Sequence, residues 1–183
     1  MTQAPLRTSH LVLVPLTPAH LPQEIELDSD PDVMRYLFNG RPRPLEDIVA
    51  AHHRRLAVGK DHPGYGFWAG LLDGAFVGWW LLEPSIGRDG EAEIGYRLLP
   101  TFWRRGLASE GSVELLRHAF EDLRLQRVFG ATMAVNQGSR ATMSKIGLRH
   151  VRTFHQHWDE PIPGSEQGEV EYAITREEWL DRS

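Results

Sequence analysis

The sequence predicts a mixed α/β (α+β) domain: a mostly antiparallel sheet of about seven strands flanked by helices, with one parallel pair between strands four and five. Three observations predict it. Short apolar runs, β-branched or alternating with polar residues, recur between turn-forming residues, as strands do. Longer stretches carry apolar residues at helical spacing. The stretch between strands four and five is one of these helices, and a helical crossover sets the strands it joins parallel. With 183 residues, the chain is expected to form one domain over 1–183.

Leu11-Val12-Leu13-Val14, stopped by Pro15, reads as the first strand. Thr17-Pro18 supplies an N-cap and a proline at the first helical position, ahead of a helix with Leu21, Ile25 and Leu27 on one face. That helix ends near Asp28 to Pro31, and Val33 to Leu37 forms a further helical turn. After the rigid Arg41-Pro42-Arg43-Pro44 loop, a second helix fits Leu45 to Val58, closed by Gly59. Gly64 to Leu72 and Ala75 to Leu82 form a hairpin about Asp73-Gly74.

Pro84 to Gly90 reverses the chain into a strand from Ala92 to Leu99. Its apolar face is Ala92, Ile94, Tyr96 and Leu98; Glu91, Glu93, Gly95 and Arg97 occupy the other. The central helix runs from Gly106 to Leu123, the next strand from Gln126 to Val135, and a helix from Ser139 to Ile146 stops at Gly147. His150 to Trp158 and Glu169 to Thr175 are the last strands, around an exposed loop from Glu160 to Ser165, and Glu177 to Leu180 ends as a helical turn.

Composition narrows the function. A hydrophobic share of 41% and a charged share of 25% are those of an ordinary globular chain, and a net charge of −5 does not point to nucleic acid. It better suits a cationic partner. The chain has no cysteine, which excludes disulfides, thiolate metal sites and a protein thiol nucleophile together. No stretch reaches the ~18 apolar residues of a membrane span and no apolar signal core opens the chain, so a cytoplasmic address and no membrane partner are expected. The polar segment Thr2 to Ser9 is expected to be loose.

The chemistry is placed in the turn Trp103-Arg104-Arg105-Gly106-Leu107-Ala108-Ser109. Gly106 and Ala108 are small enough for backbone to close on a ligand, and a helix follows at once. Unpaired N–H groups and a partial positive charge at the helix start make an anion site, with Arg104 and Arg105 beside it. The expected ligand is a phosphate, foremost a pyrophosphate.

This turn resembles the acyl-CoA-binding motif of the GNAT N-acetyltransferase superfamily: Gln or Arg, two residues, Gly, one residue, Gly or Ala. Gly106 and Ala108 match, while Trp103 stands at the Gln/Arg position, as in the branch similar to ribosomal-protein alanine N-acetyltransferases. Asn136-Gln137-Gly138-Ser139 followed by Met143 to Leu148 resembles the family's Asn-x-x-Ser/Ala segment and Lys-Leu-Gly-Phe ending. The opening Leu11 to Pro18 is similar to that branch as well.

The resemblance implies that strands four and five splay apart, with a bulge in the fourth, so that the pantetheine arm inserts between them; Gly95 is compatible with the bulge. It implies that Arg104, Arg105, Gly106, Leu107, Ala108 and Ser109 cradle the pyrophosphate, that a backbone N–H near Leu98 or Leu99 polarises the thioester carbonyl, and that Asn136 contacts the pantetheine or orders the site. Asn136 and Ser139 read equally as a helix cap and its first turn. Ser139 would lie near the sulfur, where it or a water could protonate the thiolate. Many relatives carry a tyrosine where this chain has Met143, and methionine has no proton to give.

Glu93 resembles the position from which relatives activate the amine, directly or through water, with Glu83 as second choice. Glu110 and Glu114 read as surface charges, and Trp79-Trp80 as sheet packing. His155 and His157 share a strand face and His52-His53 are adjacent, but no complete ligand set accompanies the nine histidines, and no metal is expected.

The expected function is an acetyl-CoA-dependent N-acetyltransferase in which a primary amine, on a small molecule or a protein N-terminus, attacks the thioester directly in a ternary complex. The rival reading is a non-catalytic CoA-binding sensor or partner module of the same fold.

Overall fold

The computed structural model describes residues 3–182. Its strands are β1 (Leu6–Arg7), β2 (Leu11–Pro15), β3 (Gly66–Leu72), β4 (Ala75–Pro84), β5 (Glu91–Leu98), β6 (Arg127–Met133), β7 (Arg149–Phe154) and β8 (Glu169–Thr175). They form one sheet in the order β1-β2-β3-β4-β5-β6-β8-β7. Every neighbouring pair is antiparallel except β5 and β6, which run parallel as the crossover requires. The helices are α1 (Leu21–Asp28), α2 (Pro31–Met34), α3 (Leu45–Asp61), α4 (Leu107–Arg117), α5 (Gln137–Lys145) and α6 (Arg176–Leu180). Among the described residues no helix is long and apolar enough to cross a membrane.

The sheet has eight strands where about seven are expected. The extra one, β1, lies in the segment expected to be loose: Leu6 pairs with Leu13 and is buried, while the Gln3 amide donates to Phe67 O at 2.8 Å. Trp68 Nε1 also donates to Ala4 O at 2.9 Å. Thr2 lies outside the described residues. Several element ends differ as well. Helix α3 runs through Gly59 to Asp61, and the space a side chain would fill at Gly59 holds the Gln3 side chain, 2.6 Å from an added Cβ. Strand β7 stops at Phe154, so His155 and His157 do not share a strand face.

Helix α4 is shorter than the periodicity predicts. From His118 to Asp122 it widens into a π-helical turn, with Leu123 N–H donating to His118 O at 3.0 Å. Arg117 and His118 both bond Asp122 there, at 2.9 Å each.

The sheet separates two apolar layers. On the α4 face, Trp80, Leu82, Ile94, Leu115, Leu116 and Phe120 are buried together. On the α1–α3 face, Leu27, Met34, Phe67, Trp79 and Leu99 form a second cluster. Burial of each such side chain contributes about 1.5–3 kcal/mol. Trp80 joins α4 to the sheet: a Cβ at Gly70 of β3 would lie 2.2 Å from its ring, and one at Gly111 of α4 would lie 2.5 Å from it. Its Nε1 donates to Ala108 O at 3.2 Å, so the first turn of α4 is fixed on the strand beside β5.

Candidate active site

β5 and β6 are in register over three pairs only, Glu91 with Arg127, Ala92 with Val128 and Glu93 with Phe129. Beyond them β5 continues to Leu98 paired with β4 alone, and β6 to Met133 paired with β8 alone. The strands part, leaving backbone polar groups along a gap. The expected bulge at Gly95 is absent: β4 and β5 stay in register, and Gly95 is small because Leu81 fills its place, 3.1 Å from an added Cβ. The register shift that does occur lies between Gly70 and Leu71 of β3.

The ladder decides which amides face the gap. Leu99 N–H donates to Val77 O at 2.9 Å, which makes Leu98 and Gly78 a pair without mutual hydrogen bonds. Leu98 N–H therefore points away from β4, into the gap, whereas Leu99 N–H is already spent and cannot polarise a ligand carbonyl. Trp103, the departure from the family motif, has a defined contact here. Its indole Nε1 donates to Leu98 O at 2.8 Å, so the peptide that follows Leu98 is held on both sides.

The turn before α4 is built on two left-handed residues, Arg104 (φ 59°) and Gly106 (φ 80°). Gly106 adopts this conformation without the steric cost a Cβ would bring. Helix α4 starts at Leu107 with no side-chain cap, and its first intrahelical acceptor, Gly106 O, receives Glu110 N–H at 3.0 Å. The N–H groups of Leu107, Ala108 and Ser109 are thus left to an outside partner. Arg104 and Arg105 are exposed beside them, Arg105 over the Phe102 ring at 5.5 Å.

Sequence reasoning missed Lys145, whose Nζ comes within 4.0 Å of the place a Gly106 side chain would occupy. Only a contact between the end of α5 and the turn reveals it. Together Arg105, Gly106, Ser109 and Lys145 border a cavity of about 510 Å³. A hollow of about 720 Å³ at the start of α3, near Leu45, Val49 and His53, is larger, but it is bordered by Glu46 and by no arginine or lysine. Glu110 and Glu114 are not free surface charges. Glu110 bonds Thr8 Oγ1 and accepts His10 N–H at 2.8 Å, tying the β1–β2 turn to α4, and Glu114 pairs with Arg117 at 2.9 Å.

On the far side of the gap, Asn136 caps α5, accepting Ser139 N–H at 3.2 Å and donating to Thr132 Oγ1 at 3.1 Å. Both ends of its amide are engaged, so its capping role is visible directly. Ser139 carries a contact that the sequence did not disclose: Tyr96 of β5 reaches across, its hydroxyl 3.1 Å from Ser139 O and 3.3 Å from Ser139 Oγ. Met143, one turn further, is 3% exposed and packs in the core.

The opposite face of β5 is acidic. Glu93 is paired in register with Glu83 of β4. Glu93 keeps access to solvent, yet protein on either side strips part of its hydration, and this burial, then the charges of Glu83 and Glu171, push its carboxyl above the ordinary range. Burial also raises Glu83, against the opposing pull of Arg55, Arg54 and His62. Burial would raise Glu171 too, but hydrogen bonds from Arg127 (2.6 Å) and Arg152 (2.7 Å) outweigh it and hold it low.

Further along this face, Arg97 and Arg55 bond Asp28, and Arg55 and His52 bond Glu24. Glu24 and Asp28 are fully buried. This network ties α1 and α3 to β5 immediately before Leu98. Trp79 and Trp80 are both buried. His155 bonds Glu166 O at 3.3 Å and His157 lies 3.4 Å from Asp159. Among the described residues no group of three or more His, Asp or Glu could hold a metal ion.

The comparisons agree with this geometry. A family model described as an acetyltransferase (GNAT) domain matches residues 10–149. The FsC-acetyl coenzyme A-N(2)-transacetylase of Aspergillus fumigatus is 44% identical over 185 residues, covering 97% of this chain and 79% of that protein. The N-acetyltransferase YoaA of Bacillus subtilis is 32% identical, with 83% and 86% covered. Among solved structures, a GNAT-family acetyltransferase from Bacillus anthracis superposes with a TM-score of 0.76 at 23% identity, over 94% of this chain and 99% of that one. Spermidine N-acetyltransferase from Vibrio cholerae, in complex with CoA and spermine, gives 0.78 at 16% identity, over the same shares of the two chains. These two likenesses concern the fold. The family match and the 44% identical relative carry the assignment further: the chain belongs to the GNAT family and is an acetyl-CoA-dependent N-acetyltransferase.

Proposed function

We propose that this enzyme acetylates a small primary amine, and that the β5–β6 gap and the turn before α4 hold the donor. The free N–H groups of Leu107, Ala108 and Ser109, with Arg104, Arg105 and Lys145 around Gly106, fit a pyrophosphate. Leu98 N–H, directed into the gap, fits the thioester carbonyl and strengthens its bond as negative charge develops on that oxygen. Acetyl-CoA supplies the activated acyl group. Glu93, on the α1–α3 face, takes a proton from the amine directly or through water, and Ser139, across the gap, hydrogen-bonds the departing sulfur. With no cysteine to carry the acetyl group, the amine attacks in a ternary complex.

The observation that carries this reading is the free Leu98 N–H on the stretch of β5 that runs on beyond its last pair with β6. In this reading the reacting carbonyl lies in the gap, with Ser139 on the α5 face and Glu93 on the acidic face. A small amine is favoured over a protein N-terminus because the 44% identical relative is named for transfer to an N(2) nitrogen. The carboxylates of Glu83 and Glu93 also suit a cationic acceptor. One domain over 1–183 and a cytoplasmic site of action belong to the same reading. The test is CoA thiol release from acetyl-CoA with a panel of small amines and short peptides. Turnover with small amines is expected; turnover with peptides alone would overturn the acceptor assignment.

A further inference from the structure

The missing tyrosine at Met143 raises the question of what answers the sulfur. Ser139 has a hydroxyl, but an aliphatic hydroxyl is a poor acid unless something replaces the proton it gives. Among the described residues the only side-chain hydroxyl bonded to it belongs to Tyr96, which comes from a different element. Tyr96 alternates with Leu98 on β5, so it stands at the edge of the same gap. Its half-buried ring passes under α5, and its oxygen lies 3.1 Å from Ser139 O and 3.3 Å from Ser139 Oγ.

We propose that Tyr96 is the positioning residue behind Ser139, and that the two hydroxyls form a relay to the departing CoA sulfur. This rests on the reading of the gap as the pantetheine site. As the C–S bond breaks, its electron pair stays on sulfur, which takes the proton of Ser139 Oγ; Ser139 Oγ takes the phenol proton of Tyr96, which turns to it from Ser139 O. The phenolate regains a proton from solvent, and the proton lost by the amine leaves through Glu93. At the start Tyr96 is neutral, since burial, the largest influence on it, pushes its phenol up. A neutral phenol is the form that donates.

The relay differs from a packing role in what its removal changes. Tyr96→Phe keeps the ring in place and removes only the hydroxyl. Turnover should fall by roughly 10- to 100-fold, with the Kd for acetyl-CoA within about twofold of wild type. The thiol of bound CoA reports on the sulfur directly. Its thiolate ultraviolet absorbance is titrated against pH, with the complex of desulfo-CoA as blank. The thiol should titrate at higher pH in Tyr96→Phe than in wild type, because a hydrogen bond that favours the thiolate is weakened. Ser139→Ala should give at least as large a shift, and the double variant no more than Ser139→Ala alone.

If wild type fails to bind CoA, the site assignment falls and this proposal with it. If CoA binds and Tyr96→Phe leaves both turnover and the thiol titration unchanged, the relay alone is overturned. A loss of turnover with no change in the titration, or additive losses in the double variant, would also overturn it, since Tyr96 would then be shaping the gap only.

Discussion

Glu93 and Glu83 stand opposite each other across β5 and β4, two carboxylates on one face of the sheet with both titrations raised. A protonated amine has no lone pair, so the carboxylate that receives its proton gains from a raised pKa. Glu93→Gln should lower turnover by roughly 10²-fold with little change in acetyl-CoA affinity, and the deficit should shrink at high pH, where the amine arrives deprotonated. Glu83→Gln should move the acid limb of the pH–rate profile to lower pH, because Glu93 loses a like-charged neighbour. Steady-state rates across pH check both; a Glu93→Gln deficit that is the same at every pH would mean that Glu93 only positions the amine.

The same raised carboxyl has a thermodynamic consequence. The folded state binds the Glu93 proton more tightly than the unfolded chain, so stability falls as pH rises from the unfolded pKa through the folded one. The penalty is complete above both values and absent below both. Glu93→Gln should therefore melt at a higher temperature than wild type at neutral pH, with the difference vanishing in acid. Parallel thermal melts across pH measure it.

Gly106 allows the left-handed turn and leaves its surroundings open to a ligand. Gly106→Glu adds strain, bulk and negative charge next to Lys145, and calorimetry should detect no CoA binding by the folded variant. Arg105→Ala and Lys145→Met should weaken binding by smaller factors, since the backbone donors remain. Unchanged affinity in folded Gly106→Glu would remove the pyrophosphate from this turn.

Trp103 holds the carbonyl of Leu98, whose N–H points into the gap and is the proposed partner of the thioester carbonyl. Trp103→Phe retains a ring but loses the indole donor. Turnover should drop severalfold to about tenfold while acetyl-CoA affinity is kept, in line with one weakened contact that orients an oxyanion donor. Comparing kcat with the calorimetric Kd separates this from a simple loss of binding.

Asp28 is buried with three guanidinium groups, Arg55 at 3.1 Å, Arg43 at 3.7 Å and Arg97 in direct contact. Breaking a buried pair by removing one partner costs about 3–5 kcal/mol, because the remaining charge stays buried. Asp28→Asn should lose a comparable amount in a urea melt. Much of that loss should be recovered if Arg97→Met is combined with it.

Much of the fold was legible because its signals are local. Asp73-Gly74 marked a hairpin, the alternation from Ala92 to Leu98 marked β5, and the apolar spacing of Leu115, Leu116, Ala119 and Phe120 marked the core face of α4. Strand β1 was not legible: two residues carry no periodicity, and its pairing with Leu13 is seen only in three dimensions. Gly59 was misread as a stop for the same reason, because the occupant of its empty side, Gln3, comes from far away in the chain. In the candidate site, the turn into α4 was legible through Gly106 and Ala108, whose smallness is itself a signal. Lys145, Trp103 and the hydroxyl of Tyr96 were not, since each acts through a contact with a different element. Which of Leu98 and Leu99 turns its N–H to the gap likewise follows from the hydrogen-bond phase of the β4–β5 ladder, which no residue type encodes.

Trp80 sits with Gly70 on one side and Gly111 on the other, three positions far apart in sequence that share one volume. Any side chain added at 70 or 111 needs room that only a smaller residue at 80 can release, so the three should drift together among homologues. Sequences with a smaller residue at position 80 are the ones free to carry alanine or serine at the other two. An engineer who repacks this sheet has to change all three at once or none.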